Sequence, residues 1–424
     1  MSDADRQYDL AVLGATGFVG RLLAAYLAEH APTGLRVALA GRSQDRLAEV
    51  RTTLPGAARE WPLVVVDATS PEQVSDLARC TRVVVTTVGP YARYGLPLAR
   101  ACAESGTHYA DLTGEVLFVR DLADSSHEAA LRTGARVVTS CGFDSVPSDL
   151  GVHLLHRYAE EHGLGGLGDT TLLVTRLRGG VSGGTIESMR GQVEAVTSDP
   201  SRRRTVLDPF GLSADRSADP DGRDQCDVMR VYRDAATGRW TAPFVMASFN
   251  TRIVRRSDSL LGHAYGPRFR YREAMAFGSD YAAQWRAVGL TLGLGGAIAA
   301  LQAPVVRPLV DRVLPKPGEG PDEKTRREGR FRVEVRTTTD TGQRLVATVG
   351  AAGDPGYAAT AVMLGESALC LALDGDRLSP GGGVLTPAVA MGDALVDRLR
   401  AQDFVLTVRD DDVSTTEPQI SRTA

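Results

Sequence analysis

The chain has 424 residues, 43% of them hydrophobic, with 48 Lys and Arg against 52 Asp and Glu and a formal net charge of -4. That is more chain than one core usually serves, which predicts two domains, and it lacks the basic excess of a phosphate-tracking surface, which predicts no nucleic-acid partner. Cys80, Cys102, Cys141, Cys226 and Cys370 stand far apart with no C-x-x-C pair, so neither a disulfide framework nor a zinc site is expected.

The N-terminus, Met1 to Asp9, carries Asp3, Asp5 and Arg6 in place of the basic flank and apolar core of a secretory signal, and the expected location is cytoplasmic. Short apolar runs then alternate with helical patterns: Tyr8–Leu13, Val19–His30, Arg36–Ala40, Gln44–Thr53, Leu63–Val66, Val83–Val88, Leu96–Ser105, Val119–Thr133 and Arg136–Ser140. This rhythm predicts βαβ units and an α/β fold, a Rossmann-type doubly wound parallel sheet over residues 1–145. After Pro147 the pattern shifts to longer, half-polar strands at Thr170–Arg178, Met246–Arg255, Phe331–Thr338 and Gln343–Val349. Asp340-Thr341-Gly342 turns a hairpin between the last two. An α+β second domain for substrate or dimerisation is therefore expected over 146–353, broken by a polar loop at Thr197–Arg230. Helical patterns at Tyr357–Leu373 and Pro387–Ala401 predict that 354–424 forms helices packing back on the nucleotide domain.

Within the second domain, Ala287–Val306 holds no charged residue and is bracketed by Arg286 and Arg307. Its glycines, with Gln302 and Pro304, make it weakly hydrophobic for its length. Three readings fit: a buried, Gly-packed helix or homodimer face, a monotopic lipid-contacting element preceded by Arg268, Arg270, Arg272 and Arg286, or a single span.

The strongest motif is Gly14-Ala15-Thr16-Gly17-Phe18-Val19-Gly20, which follows one strand and opens a helix. Glycines there permit a tight turn and let backbone N–H groups approach a pyrophosphate at the helix N-terminus. At the end of the second strand an NAD enzyme carries an acidic residue for the ribose hydroxyls. Here Ala40-Gly41-Arg42-Ser43 offers space, a guanidinium and a hydroxyl, which suits a 2′-phosphate and favours NADP(H). Asp67, ending the third strand, is placed for the adenine edge, and Val88-Gly89-Pro90-Tyr91 for the nicotinamide side.

Only two lysines occur, Lys316 and Lys324, so a Tyr-x-x-x-Lys pair or a Schiff-base lysine is excluded. No metal site is expected from the seven histidines; His153 and His156 read as helix surface, and no Gly-x-Ser-x-Gly elbow is present. Three polar clusters remain, Tyr109–Glu115, Cys141–Asp149 and Ser182–Ser188. In the second, Ser148 and Asp149 read equally well as helix caps.

These clusters, with Leu314–Pro321, Asp354–Leu369 and Gly383–Leu395, carry a resemblance across nearly the whole chain. It resembles the saccharopine dehydrogenase-like oxidoreductases, and among them the actinobacterial trans-acting enoyl reductases of polyketide-derived lipid synthesis. The resemblance implies that NADPH reduces an activated double bond: hydride goes to the β-carbon of an unsaturated acyl thioester, the carbonyl oxygen is held by donors, and a proton reaches the α-carbon. Tyr91, Asp144 and Ser145 are the candidate donors. The implied partner is an acyl thioester or lipid-like small molecule delivered by a synthase, with a peripheral position on the inner face of the membrane and a homodimer as further expectations. Two alternatives stand beside this. One is C–N chemistry on an amino-acid-derived imine, which would need arginines such as Arg93, Arg176 and Arg190 to converge; the other is a non-catalytic NADP-binding, lipid-associated protein.

Overall fold

The computed structural model describes residues 6–179, 183–220, 222–302 and 322–411. The first part of the chain supplies β1 (Tyr8–Leu13), β2 (Val37–Gly41), β3 (Leu63–Val65), β4 (Thr81–Thr86), β5 (His108–Ala110) and β6 (Arg136–Val138). Between them run α1 (Phe18–His30), α2 (Gln44–Thr53), α3 (Pro71–Cys80), α4 (Tyr91–Ser105) and α5 (Val116–Thr133). Neighbouring strands are parallel in the order β6-β5-β4-β1-β2-β3. Helices cover both faces, which is why β2 is apolar and buried at every position instead of alternating. The order reverses between β1 and β4, and that switch point places the binding crevice at their carboxyl ends. Local signals set the helix starts: Ser43 accepts from the Arg46 N–H, and Ser70 from the Gln73 N–H with Pro71 at the first helical position.

The remainder of the chain forms α6 (Val146–Glu161), β7 (Asp169–Arg178), α7 (Gly183–Ser198), α8 (Pro200–Leu207), β8 (Tyr232–Arg233), β9 (Trp240–Pro243), α9 (Ala247–Leu260), β10 (Arg270–Ala276) and α10 (Tyr281–Gln302). It continues as α11 (Glu323–Glu328), β11 (Arg330–Thr338), β12 (Arg344–Ala352), α12 (Ala358–Leu373), β13 (Gly383–Leu385), α13 (Pro387–Arg400) and β14 (Val405–Asp410). A second, mixed sheet runs β14-β12-β11-β7-β10-β9-β8, antiparallel except where β7 meets β10. The β11–β12 hairpin turns at Gly342, as its sequence indicates, with φ at 86°. One apolar core is shared, taking in Leu10, Leu39 and Val85 of the first sheet and Val174, Phe331 and Val349 of the second.

Several expectations change. Met246–Arg255 is not a strand but the start of α9. Phe249 and Ile253 lie one turn apart, and the helix is buried on nearly every side, so it shows neither a polar face nor a clean alternation. Its arginines are buried too. Arg256 donates to the carbonyls of Leu212 (2.8 Å) and Val384 (2.7 Å), and Arg255 to those of Pro209 (3.1 Å) and Tyr271 (2.7 Å). The loop expected at Thr197–Arg230 contains α8. His153 is buried against Asp393 (2.8 Å) and His156 packs on the Tyr265 ring (5.2 Å), so neither is the surface residue expected.

The C-terminal part supplies more than helices: β13 joins β6 as a seventh parallel strand, while β14 crosses to pair with β12 in the second sheet. In the apolar segment, residues 303–306 lie outside the described residues. The rest of α10 is not a buried helix, since among its described side chains only Ala283 and Ala287 are buried. No helix among the described residues is long and apolar enough to cross a membrane.

Arg6 ties the nucleotide sheet at its base. Its guanidinium is 3% exposed and donates to the carbonyls of Ala78 (2.9 Å), Thr81 (2.7 Å) and Ser105 (2.7 Å) and to the Thr107 hydroxyl (2.6 Å). It thereby satisfies the C-terminal ends of α3 and α4 with a charge of the favourable sign. Arg6→Leu is expected to lower unfolding stability by roughly 3–5 kcal/mol, because it strands several buried carbonyls at once; urea unfolding monitored by circular dichroism measures this. A loss below about 1 kcal/mol would show that water replaces the guanidinium.

Candidate cofactor and active site

At the end of β1 the chain reverses on Gly14, whose φ is 89°. The N–H groups of Gly14 and Ala15 donate to the Ala40 carbonyl (3.0 and 3.3 Å), and that of Gly17 to the Gly14 carbonyl (2.9 Å). A Cβ on Gly20 would stand 2.1 Å from the Gly14 oxygen, so α1 can pack this close to the turn only with glycine there. No side chain caps the start of α1, which leaves its first N–H groups for an anion. Thr16, Phe18 and Val19 are half-buried and Gly17 is exposed. The Phe18 ring meets Tyr357 edge-on at 5.0 Å with the Arg326 guanidinium 5.3 Å above it. Phe18 therefore contributes its backbone to the turn, and its side chain to packing against the returning chain.

At the end of β2, Arg42 is exposed, and its guanidinium makes no hydrogen bond among the described residues. The Ser43 oxygen accepts from Arg46 N (3.4 Å), which leaves the hydroxyl proton free to donate. Asp67 folds back on Thr69, whose N–H and hydroxyl bind Oδ1 at 2.9 and 2.8 Å. Those bonds, aided by the charge of Arg42, hold its carboxyl below the usual range, so Arg42 and Asp67 share one corner of the crevice.

After β4, Thr87 N donates to the Leu13 carbonyl (3.0 Å), which fixes Val88, Gly89 and Pro90 beside the glycine turn. Tyr91, expected as a donor, turns away from the crevice. It is 5% exposed and packs on Phe118 (5.7 Å), and its hydroxyl donates to the Thr86 carbonyl and accepts from Leu112 N, both at 3.2 Å. With both capacities used inside, it serves the core. Ser145 is fully buried, with its hydroxyl donating to Asn250 Oδ1 (3.3 Å).

Asp144 differs from both. It follows β6 at the carboxyl edge of the sheet, is half-buried, and its carboxyl has no hydrogen-bond partner among the described residues. Burial alone pushes its pKa up to about 7. A Cβ built on Gly114 would lie 3.7 Å from Asp144 Oδ2 and equally far from Met246 Cε, so carboxyl, glycine backbone and thioether line one small space.

The residues around that space are structural in ways the sequence did not reveal. Glu115 accepts from the N–H groups of Tyr91 and Ala92, both at 2.8 Å, capping α4, and from the Ser188 hydroxyl (2.7 Å). Gln192 Nε2 donates to the Gly114 carbonyl (3.1 Å) and its Oε1 accepts from Val116 N (3.1 Å). Helix α7 is thus fastened across the Gly114–Glu115 loop. Asp111 stitches β5 to β6 by accepting from Thr113 N, Ser140 N and the Tyr109 hydroxyl. Of the third cluster, Ser182 lies outside the described residues. Ser148 and Asp149 are not caps of their own helix: Ser148 accepts from Asn250 Nδ2 (3.3 Å), and Asp149 from Ala388 N (2.8 Å) and the Ser257 hydroxyl. Apart from Tyr109 and Thr113, each two residues from Asp111, the partners that define these roles lie far along the chain.

A turn that no Cβ would permit, an uncapped helix start and an exposed guanidinium at the end of β2 together fit NADP(H). Residues 10–142 match the saccharopine dehydrogenase NADP binding domain family. The chain is 50% identical over 409 residues to a Mycobacterium tuberculosis protein provisionally named a trans-acting enoyl reductase, covering 95% of this chain and 97% of that one. It is 49% identical to the trans-acting enoyl reductase of Mycobacterium ulcerans, covering 96% and 99%. Among solved structures, the apo saccharopine dehydrogenase (L-Glu forming) of Saccharomyces cerevisiae shares the fold, with a TM-score of 0.52, 14% identity and coverage of 95% and 99%. The chain, an NADP-dependent oxidoreductase, therefore belongs to the trans-acting enoyl reductase family, with a saccharopine dehydrogenase-type nucleotide domain.

Proposed function

We propose that this protein reduces the carbon–carbon double bond of an enoyl thioester or similar lipid-linked intermediate carried by a synthase. The observation that carries the reading is the Asp144 carboxyl, without a hydrogen-bond partner among the described residues and set beside Gly114 at the edge of the sheet that holds the nucleotide turns. NADPH supplies the hydride when bound, with the Gly14–Gly20 backbone facing its pyrophosphate, and Arg42 and Ser43 its 2′-phosphate. Asp144, protonated below about pH 7, is the group able to donate to the thioester carbonyl oxygen or to give up a proton as the double bond saturates. Glu115 keeps the Val88–Pro90 turn in place by capping α4, and α7 with Met246 limits water around the carboxyl.

The C–N alternative finds less support. Arg93 stacks over its neighbour Tyr94 (5.2 Å), Arg190 pairs with Glu187 (3.8 Å), and Arg176 is exposed on β7. Among the described residues no contact gathers these three into a dicarboxylate site. A lipid-like acyl chain makes the inner face of a membrane the fitting place for the reaction.

Two outcomes test this reading. Arg42→Ala is expected to weaken NADPH binding by about 10- to 100-fold, the loss of a charge-assisted hydrogen bond, while NADH binding stays unchanged; calorimetric titration of both cofactors decides it, and equal losses for both would remove Arg42 from 2′-phosphate recognition. With an enoyl thioester and NADPH, kcat/KM is expected to be level below about pH 7 and to fall above it, because the raised pKa of Asp144 keeps the donor form only on the acid side. Asp144→Asn should cut kcat by roughly 10²- to 10⁴-fold and abolish that descending limb. A limb that persists in Asp144→Asn would assign it to another group, and undiminished kcat would refute the donor role.

A further inference from the structure

The feature least explained by an enzyme in water is α10. Its first turn is anchored: Asp280 accepts from Ala283 N (2.6 Å), and Ala283 and Ala287, one turn apart, are buried where the helix packs on β9. From there to Gln302 it carries no charged residue. A Cβ added at Gly289, Gly293, Gly295 or Gly296 would meet nothing within 4 Å. Tyr281 is 72% exposed, Trp285 60%, Leu290 38% and Leu292 71%.

We infer that α10 is a lipid-inserting element, dipping into one leaflet of a bilayer with Tyr281 and Trp285 at the headgroup level. Helical spacing shows why lipid is the fitting cover. Leu292 lies two turns above Trp285 on one side, whereas Leu290 continues the opposite, Ala283–Ala287 side. The polar Thr291 turns its hydroxyl back to the Ala287 carbonyl (2.9 Å). The helix is thus apolar around its circumference. A second copy of this chain would cover one stripe and leave the other side in water, whereas hydrocarbon covers every side at once. Tyr281 and Trp285 sit at the base, stacked edge-on at 6.2 Å, beside the exposed Asp280–Arg286 pair (3.7 Å). Aromatic rings beside a charged collar, with no charged residue beyond it in the helix, is the order met on passing from headgroups into acyl chains. No helix among the described residues, α10 included, is long and apolar enough to cross a bilayer, so the proposal is entry into one leaflet without crossing.

Sedimentation of the full chain with vesicles of phosphatidylcholine containing a minority of phosphatidylglycerol tests this. The expected result is binding that survives high salt, since the contact is apolar, together with a blue-shifted emission that Trp285→Phe removes. Leu290→Asp with Leu292→Asp should weaken vesicle binding by roughly tenfold or more, while NADPH titration, which does not depend on lipid, stays as in the parent and shows that the variant folds. Protein left in the supernatant overturns the proposal. So does light scattering at twice the chain mass that collapses to one chain in the aspartate variant, because a second copy would then be the cover.

Discussion

Asp149 is the point on which the arrangement of the site depends. Its buried carboxylate, on the first turn of α6, accepts from Ala388 N at the start of α13 and from Ser257 on α9. Ser257 in turn shares a hydrogen with Thr386 (2.7 Å), just after β13. Three helices from distant parts of the chain meet at one carboxylate, and Arg256, next to Ser257, reaches the Val384 carbonyl within β13. Burial pushes Asp149 up to about 6 while its donors pull it back, the usual balance of a buried polar node that is tolerable because its partners are present. The consequence for function is geometric. Fixing α6 against α9 and α13 fixes where the chain leaves β6, and Asp144 sits on that exit. Alongside, Asn250 links Ser145, Ser148 and Glu273, whose carboxylate also accepts from the Tyr271 hydroxyl (2.8 Å), so the floor beneath Asp144 is held by hydrogen bonds.

The nucleotide half was legible because its signals are local: a glycine turn between an apolar run and an amphipathic helix, and a cation where an acid would otherwise stand. The rest depended on partners distant in sequence. Helix α9 was read as a strand because burial on every side erases the polar face that marks a helix. Strands β5 and β13 have three residues each, too few to show a period. Tyr91 and Ser145 lay in suitable clusters, but in a βα turn neighbouring residues point alternately to crevice and core, and only packing decides which. Asp144 lies half-buried just after β6, and nothing in the sequence separated it from its neighbours.

The near absence of lysine has a structural counterpart. Arg6, Arg252, Arg255 and Arg256 are all buried and spend their donors largely on backbone carbonyls. A planar fork with five donors can close several loop and helix ends at once, which an ammonium cannot do. Burial lowers Arg255 and Arg256 to about 10, still charged at neutral pH. These buried arginines are internal staples, whereas the exposed Arg42 at the end of β2 makes no hydrogen bond among the described residues.

The same reasoning separates the acids. Asp111, Asp144 and Glu273 are each pushed up to about 7 by burial, so a perturbed pKa does not by itself mark the reactive group. Asp111 is held by two N–H groups and a tyrosine, and Glu273 by Asn250 and Tyr271; a proton leaving either would disturb the bonds that hold the loop. Among the described residues Asp144 has no such bonds to lose, and it is only half-buried. A carboxyl whose pKa burial raises, with no hydrogen-bond partner among the described residues, carries a desolvation cost that those residues do not recover. A ligand oxygen able to accept its proton would recover it, which is the role proposed above for the thioester carbonyl.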